Sequence, residues 1–231
     1  MPGDDVLKFN GNHQGLDDSR LMFAFAHDLR AHLRTVLTRI QLVQRGGGDR
    51  LHGHELAMLQ EAATAAGEIG GLLNAMMAYL DVQASEGTRD LRILLQGTLL
   101  ERKAALQAAG AEVEVANDLQ VSVPAGLQSV LKELITNACK FREPKRPLRI
   151  RIAAQSTSVD GLEIAVTDNG LGVPAEYVEK IFSPFQRLHS RDDFPGHALG
   201  LATCRRLAAT WGGTVSAQHI PDGGLTIRVT C

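Results

Sequence analysis

The sequence predicts a molecule in two parts: a helical hairpin, then an α+β layer in which helices cover one face of a mixed sheet. Two observations carry this. Up to about residue 82, apolar residues recur in alternating steps of three and four, the signature of long helices with a packing seam. Beyond residue 86 the pattern breaks into short alternating segments interleaved with helical ones, the mark of strands and helices sharing a layer. The 231 residues are enough for one large or two small domains with packed cores.

The first helix is expected over residues 17–44, with Met22, Ala26, Leu29, Leu33, Val36, Ile40 and Val43 as its seam. Asp17, Asp18 or Ser19 is suited to cap its start, and Gly46-Gly47-Gly48 to end it, because consecutive glycines are costly to hold helical. A second helix over 54–82 has the seam Leu56, Leu59, Ala63, Ala66, Gly70, Leu73, Met77 and Leu80, with small residues at its centre. A dimeric four-helix bundle buries both seams; packing against the second part of the chain is the alternative. Helix is then expected over 91–109, ended by Gly110, with strands at 112–115 and 119–123. Pro124 is placed in the first turn of a helix running to 141. Strands at 148–154 and 162–167, a short helix at 175–181, a loop over 183–197, a helix at 199–211 and strands at 214–219 and 225–230 complete the layer.

Composition removes several classes of function. Lys and Arg number 24 against 26 Asp and Glu, so no basic excess draws in a polyanion, and ten aromatic residues make a poor base-stacking platform. Nucleic-acid binding is not expected. No apolar run approaches the ~18–20 residues that span a bilayer. The start lacks a signal-peptide segment, and three widely spaced cysteines read as free thiols. The expectation is a soluble, cytoplasmic protein without membrane contact.

Four clusters can carry chemistry. His27 flanks the first seam, with Asp28 beside it to accept a ring proton and leave the other nitrogen nucleophilic. Glu133, Asn137 and Lys140 share one helical face, placing a carboxylate, an amide oxygen and an ammonium in a row suited to hydrated Mg²⁺ and a phosphate chain. Asp168-Asn169-Gly170-Leu171-Gly172 ends an apolar strand, where glycines admit a flat ligand and the carboxylate can accept from an exocyclic amine. Gly196-His197-Ala198-Leu199-Gly200-Leu201 precedes a helix, a setting for phosphate. Taken singly, each has a plainer reading: a surface pair, the polar stripe of an amphipathic helix, a turn after a strand, a helix cap.

Together, in this order and spacing, they resemble the cytosolic core of sensor histidine kinases over roughly residues 20–231. His27-Asp28-Leu29-Arg30 is similar to the H-box, and Asn137 with Glu133 and Lys140 to the N-box. Asp168 to Gly172 resembles the G1 box, Ile181-Phe182-Ser183-Pro184-Phe185 the F-box, and Gly196 to Leu201 the G2 box. Phe185-Gln186-Arg187-Leu188-His189-Ser190-Arg191 resembles the ATP lid of the phytochrome-like branch.

The resemblance implies an N-terminal tail (1–16), a dimerisation and phosphoacceptor hairpin (17–86) and an α/β-sandwich ATP-binding domain of the Bergerat type (87–231). His27 would take the γ-phosphoryl group and yield it to a response-regulator aspartate, with Asp28 as proton acceptor. Asn137 would ligate Mg²⁺, Glu133 would position its water, and Lys140 would meet phosphate oxygens. Asp168 would read the adenine amine, while Gly170, Gly172, Gly196 and Gly200 would give ATP close approach. A homodimer is implied, and a short tail implies that the signal arrives through a separate sensor or partner. The other reading is a degenerate core that acts as a phosphotransfer protein with weak or no ATP binding.

Three departures from the family pattern carry expectations. His32 stands where Pro is usual, which predicts a straighter first helix. Ala31 occupies the position of a water-orienting Thr or Asn, which predicts weak phosphatase activity. Ala198 replaces the middle glycine of the G2 pattern. A left-handed backbone there costs alanine roughly 1–2 kcal/mol, and a lost phosphate hydrogen bond ~1.5–3 kcal/mol more. Nucleotide affinity is expected to fall on the order of 100-fold or more.

Overall fold

The computed structural model describes residues 11–47, 51, 53–83, 85–116, 120–157, 161–190 and 193–231. The chain divides into two compact units, residues 1–81 and 82–231.

The first unit is a hairpin of α1 (Gly11–Gly47) and α2 (Gly53–Leu80). The expected cap at residues 17–19 is corrected: these lie inside α1, which already runs from Gly11. The helix also continues unbroken through His32, as a chain without proline there can. The single seam expected on α1 proves to be two rows. Phe23, Ala26, Leu33, Leu37 and Ile40 turn inward, with Ala26 fully buried, while Met22, Leu29, Val36 and Val43 remain exposed. The two rows are offset by steps of three or four residues, about 40–60° around a helix of 3.6 residues per turn, so one meets α2 while the other stays open. On α2, Ala66, Leu73 and Met77 are buried, whereas Met58, Ile69 and Leu72 face outward. Arg30 Nη1 donates to Asn74 Oδ1 at 3.0 Å across the hairpin.

The second unit opens with a two-stranded ribbon, β1 (Thr88–Asp90) antiparallel to β3 (Ser122–Pro124). Asp90 caps α3 (Leu91–Glu101) by accepting from the amides of Arg92 and Ile93 at 2.9 and 3.2 Å. The single helix expected over 91–109 is broken at Arg102, and α4 (Lys103–Ala109) follows. Gly110 ends it in the left-handed conformation, φ 60°. Pro124 closes β3 rather than starting a helix; α5 (Leu127–Lys140) begins three residues later. A proline lacks the N–H of a ladder but tolerates the edge of a ribbon.

The main sheet has five strands in the order β2-β4-β5-β7-β6, built from β2 (Glu112–Ala116), β4 (Arg149–Ser156), β5 (Leu162–Asp168), β6 (Val215–His219) and β7 (Leu225–Thr230). The β2–β4 pair is parallel and the others antiparallel, which makes the sheet mixed as expected. Buried and open residues alternate along β4 and β5, so one face meets the helices. Leu127, Leu131 and Ile135 of α5, Ile150 and Ile152 of β4, and Ile164 and Val229 form its centre. The short helix expected at 175–181 is two 3₁₀ turns, Ala175–Tyr177 and Lys180–Phe182. The last helix, α6, spans Gly200–Thr210. All three cysteines are free thiols. No helix among the described residues is long and apolar enough to cross a membrane.

Candidate active site

In the hairpin, α1 presents His27 on its exposed flank, with Nδ1 3.5 Å from Asp28 Oδ1. Nε2 is the ring nitrogen not engaged with Asp28.

In the second unit, α5 carries the polar row. Its apolar residues Val130, Leu131, Leu134, Ile135 and Ala138 are buried. The i, i+4, i+7 spacing therefore leaves Glu133, Asn137 and Lys140 along one edge of the buried face, where each is partly shielded. Glu133 and Asn137 are joined by a side-chain hydrogen bond. The start of α6 is pressed against this row. A side chain on Gly200 would collide with the Glu133 carboxylate, and one on Gly196 would stand 3.1 Å from Lys140 Nζ. The glycines of the G2 pattern are thus explained by what lies opposite them: both leave room for the charged groups of α5.

The electrostatics follow from burial. Desolvation raises the Glu133 pKa above the ordinary carboxylate value, opposed by the charges of Lys140 and Arg102 and by the Asn137 hydrogen bond. Lys140 is lowered, first by burial and then by the charge of Arg187. Its Nζ lies 4.8 Å from the Phe141 ring centroid. Burial, with Glu133 adding to it, pushes the Cys204 thiol far up, so this side chain is an inert part of the wall.

Asp168 ends β5, half-buried. Its Oδ1 accepts from the Gly170 amide at 2.7 Å, and the Leu225 amide bonds the same carboxylate. Burial raises its pKa, against the pull of these two amides and of Arg146. Gly170 has no room for a side chain beside the Phe141 carbonyl. Gly172 adopts φ 76° and packs on Gly224, whose amide nitrogen would be 2.9 Å from any added Cβ.

The structure therefore brings Glu133, Asn137 and Lys140 together with Gly196 and Gly200, and sets Asp168, Gly170 and Gly172 around the end of β5. Two arginines at these places, Arg102 and Arg146, carry no motif signal, and a third, Arg187, lies in the segment that resembles the lid. Arg102 sits at the α3/α4 break, where its charge acts on Glu133. Arg187 closes the loop before α6, donating to the carbonyls of Gly196 and Phe194 at 2.6 Å each. Arg146 bridges two loops behind Asp168. The loop that Arg187 closes also carries His189 and Phe194, which form an aromatic cluster with Phe141 at the end of α5, Phe194 lying 5.0 Å from both other rings. A run of loop charges such as 142–146 gives no hint from sequence of which carbonyl an arginine will find. Ala198 adopts φ 54°, the left-handed conformation on which the expected penalty depended.

Comparison with known proteins gives the family context. Residues 122–231 match the family described as histidine kinase-, DNA gyrase B-, and HSP90-like ATPase. The chain is 29% identical over 224 residues to phytochrome-like protein Cph1 of Synechocystis sp., covering 95% of this chain and 30% of that protein. It is 29% identical over 229 residues to the sensor histidine kinase GtrS of Pseudomonas aeruginosa, covering 96% of this chain and 44% of that one. Among solved structures, full-length ShkA in complex with AMPPNP matches 92% of this chain and 45% of its own with a TM-score of 0.67 at 21% identity, a likeness of fold. The chain thus spans less than half the length of each of these relatives.

Proposed function

We propose that this chain, a sensor histidine kinase core in sequence and fold, uses Mg-ATP to phosphorylate His27 and passes the phosphoryl group to a response-regulator aspartate. The observation that carries this reading is the row Glu133–Asn137–Lys140 packed against side-chain-free Gly196 and Gly200, which brings a carboxylate, an amide and an ammonium together at the start of α6.

The donor set fits a hard divalent cation. The Asn137 amide oxygen and the Glu133 carboxylate are oxygen ligands, and Mg²⁺ is bound by few protein groups while keeping waters and substrate phosphates. In this reading Asn137 ligates the ion directly and Glu133 holds one of its waters. Bound there, Mg²⁺ would supply charge neutralisation to the phosphate chain. Lys140 adds a point charge at the phosphates, sharpened by a partly dry setting. Asp168, kept acceptor-only when ionised, takes a hydrogen bond from the adenine amine. At His27, Nε2 attacks the γ-phosphorus, the bond to the β-phosphate oxygen breaks, and ADP leaves with that electron pair. The Nδ1 proton passes to Asp28, so charge does not accumulate on the ring.

The exposed rows Met22, Leu29, Val36 and Val43 on α1 and Met58, Ile69 and Leu72 on α2 support a homodimeric four-helix bundle, because a lone hairpin leaves them in water. A cytoplasmic location accords with this assignment.

A second reading, a phosphotransfer protein in which His27 shuttles phosphoryl groups between regulators, is favoured by Ala198, whose methyl group stands where the resembled G2 pattern has glycine. One experiment separates the two. Incubation with Mg-ATP labelled at the γ-phosphate should leave acid-labile, base-stable label on the wild type and none on His27→Ala. Folded wild type without label, loaded instead by a phosphorylated receiver domain, would establish the second reading.

A further inference from the structure

Arg146 lies in the connection between α5 and β4, outside every motif, yet its guanidinium ties together the two loops that flank Asp168. Nη2 donates to the Gly170 carbonyl at 3.0 Å, and Nη1 to the Asp222 carbonyl at 3.1 Å. Those carbonyls belong to two separate loops. One follows β5; the other is the turn between β6 and β7. Arg146 Nε is shielded from solvent and has no hydrogen-bond partner.

The two loops are shaped around this fork. Gly223 adopts φ 88°, and a Cβ there would stand 2.6 Å from Nη2. Gly224, φ 108°, has its own side-chain space filled by the Asp168 carbonyl, and it packs against Gly172. Asp168 sits between the loops, bonded to the Gly170 amide on one side and the Leu225 amide on the other. Fixing Gly170 and Asp222 at once therefore fixes both amides that aim the carboxylate. The positive charge also favours the ionised form of Asp168 against burial.

We propose that Arg146 is a positioning residue for base selection: by tying the loop after β5 to the β6–β7 turn, it holds the Asp168 carboxylate where an adenine amine donates. This rests on the reading of Asp168 as the acceptor for that amine. With Nη1 and Nη2 each donating to a backbone carbonyl, Arg146 acts through Asp168 and not on phosphate. Lysine keeps the charge but lacks the planar fork that spans two carbonyls, so it cannot fully replace arginine here.

The test compares binding of Mg-ATP with Mg-ITP, whose base carries a carbonyl in place of the amine, by titration calorimetry on wild type, Arg146→Met and Arg146→Lys. Wild type should prefer ATP. Arg146→Met should lose about tenfold in ATP affinity with ITP nearly unchanged, so that the preference collapses, and Arg146→Lys should fall between. Circular dichroism checks that each variant is folded; if the Met variant is not, the Lys variant supplies the same comparison. An unchanged preference for ATP in the variants, or equal losses for both nucleotides, would overturn the role of Arg146 alone. Equal binding of both nucleotides by wild type would overturn the adenine reading of Asp168 and this inference with it.

Discussion

The Phe185 amide donates to the Ala198 carbonyl at 2.9 Å, and both residues hold positive φ, 63° and 54°, without being glycine. The bond closes the base of the loop over 186–197, so the two strained residues brace each other. A left-handed alanine costs roughly 1–2 kcal/mol. Held by the fold itself, that strain counts against folding stability.

Ala198→Gly should accordingly raise stability. Relief of strain is partly offset by glycine's greater freedom in the unfolded chain, roughly 0.4–1 kcal/mol. A net gain of up to about 1 kcal/mol, or a Tm rise of a few degrees, is expected by calorimetry. Mg-ATP affinity should shift less than about tenfold. A hundredfold tightening would show instead that the methyl group obstructs the phosphates.

Glu133→Gln should stabilise the protein at neutral pH while abolishing phosphorylation of His27. Burial raises the Glu133 pKa in the folded state, so the folded form binds its proton more tightly than the unfolded chain does. That contribution is complete below the unfolded glutamate pKa and is lost as pH rises through the folded one. The Tm difference between variant and wild type should therefore be positive at neutral pH and shrink as pH falls into the ordinary carboxylate range. A difference independent of pH would mean that the carboxylate is not held at a desolvation cost.

Ile69→Glu should dissociate the proposed dimer without unfolding the hairpin. Ile69 is 50% exposed on α2, beside the buried Leu73 but itself open to water. Each isoleucine removed from an interface forfeits ~1.5–3 kcal/mol, and a symmetric dimer loses two. Sedimentation should show association weakened into the monomer range, with Kd raised by at least about hundredfold and helix content unchanged.

Arg187→Met should free the loop it staples. Its two donors to the Gly196 and Phe194 carbonyls bind residues nine and seven positions away. Limited proteolysis within 186–197 should accelerate about tenfold, while exchange of the β4 and β5 amides stays the same. Equal destabilisation of both regions would make Arg187 a general structural residue.

Where a site was legible, helix geometry was the reason. Glu133, Asn137 and Lys140 lie at i, i+4 and i+7, so any helix there must align them, and the structure places them on α5 as read. Alternation likewise located β4, β5 and β7 to within two residues. Errors gathered at element ends, such as Pro124 and Arg102, where local preference is weak and packing decides.

By itself, then, the sequence determined the hairpin, the mixed layer and the motif residues, because periodicity and turn chemistry are local properties of the chain. The division of α1 into an inward and an outward row, the glycines hollowed out for Glu133 and Lys140, and the arginine ties were decided by tertiary structure. Arg146 reaches carbonyls 24 and 76 residues away. No local repeat encodes such contacts, since every residue offers the same carbonyl and only the closed fold selects which one an arginine meets.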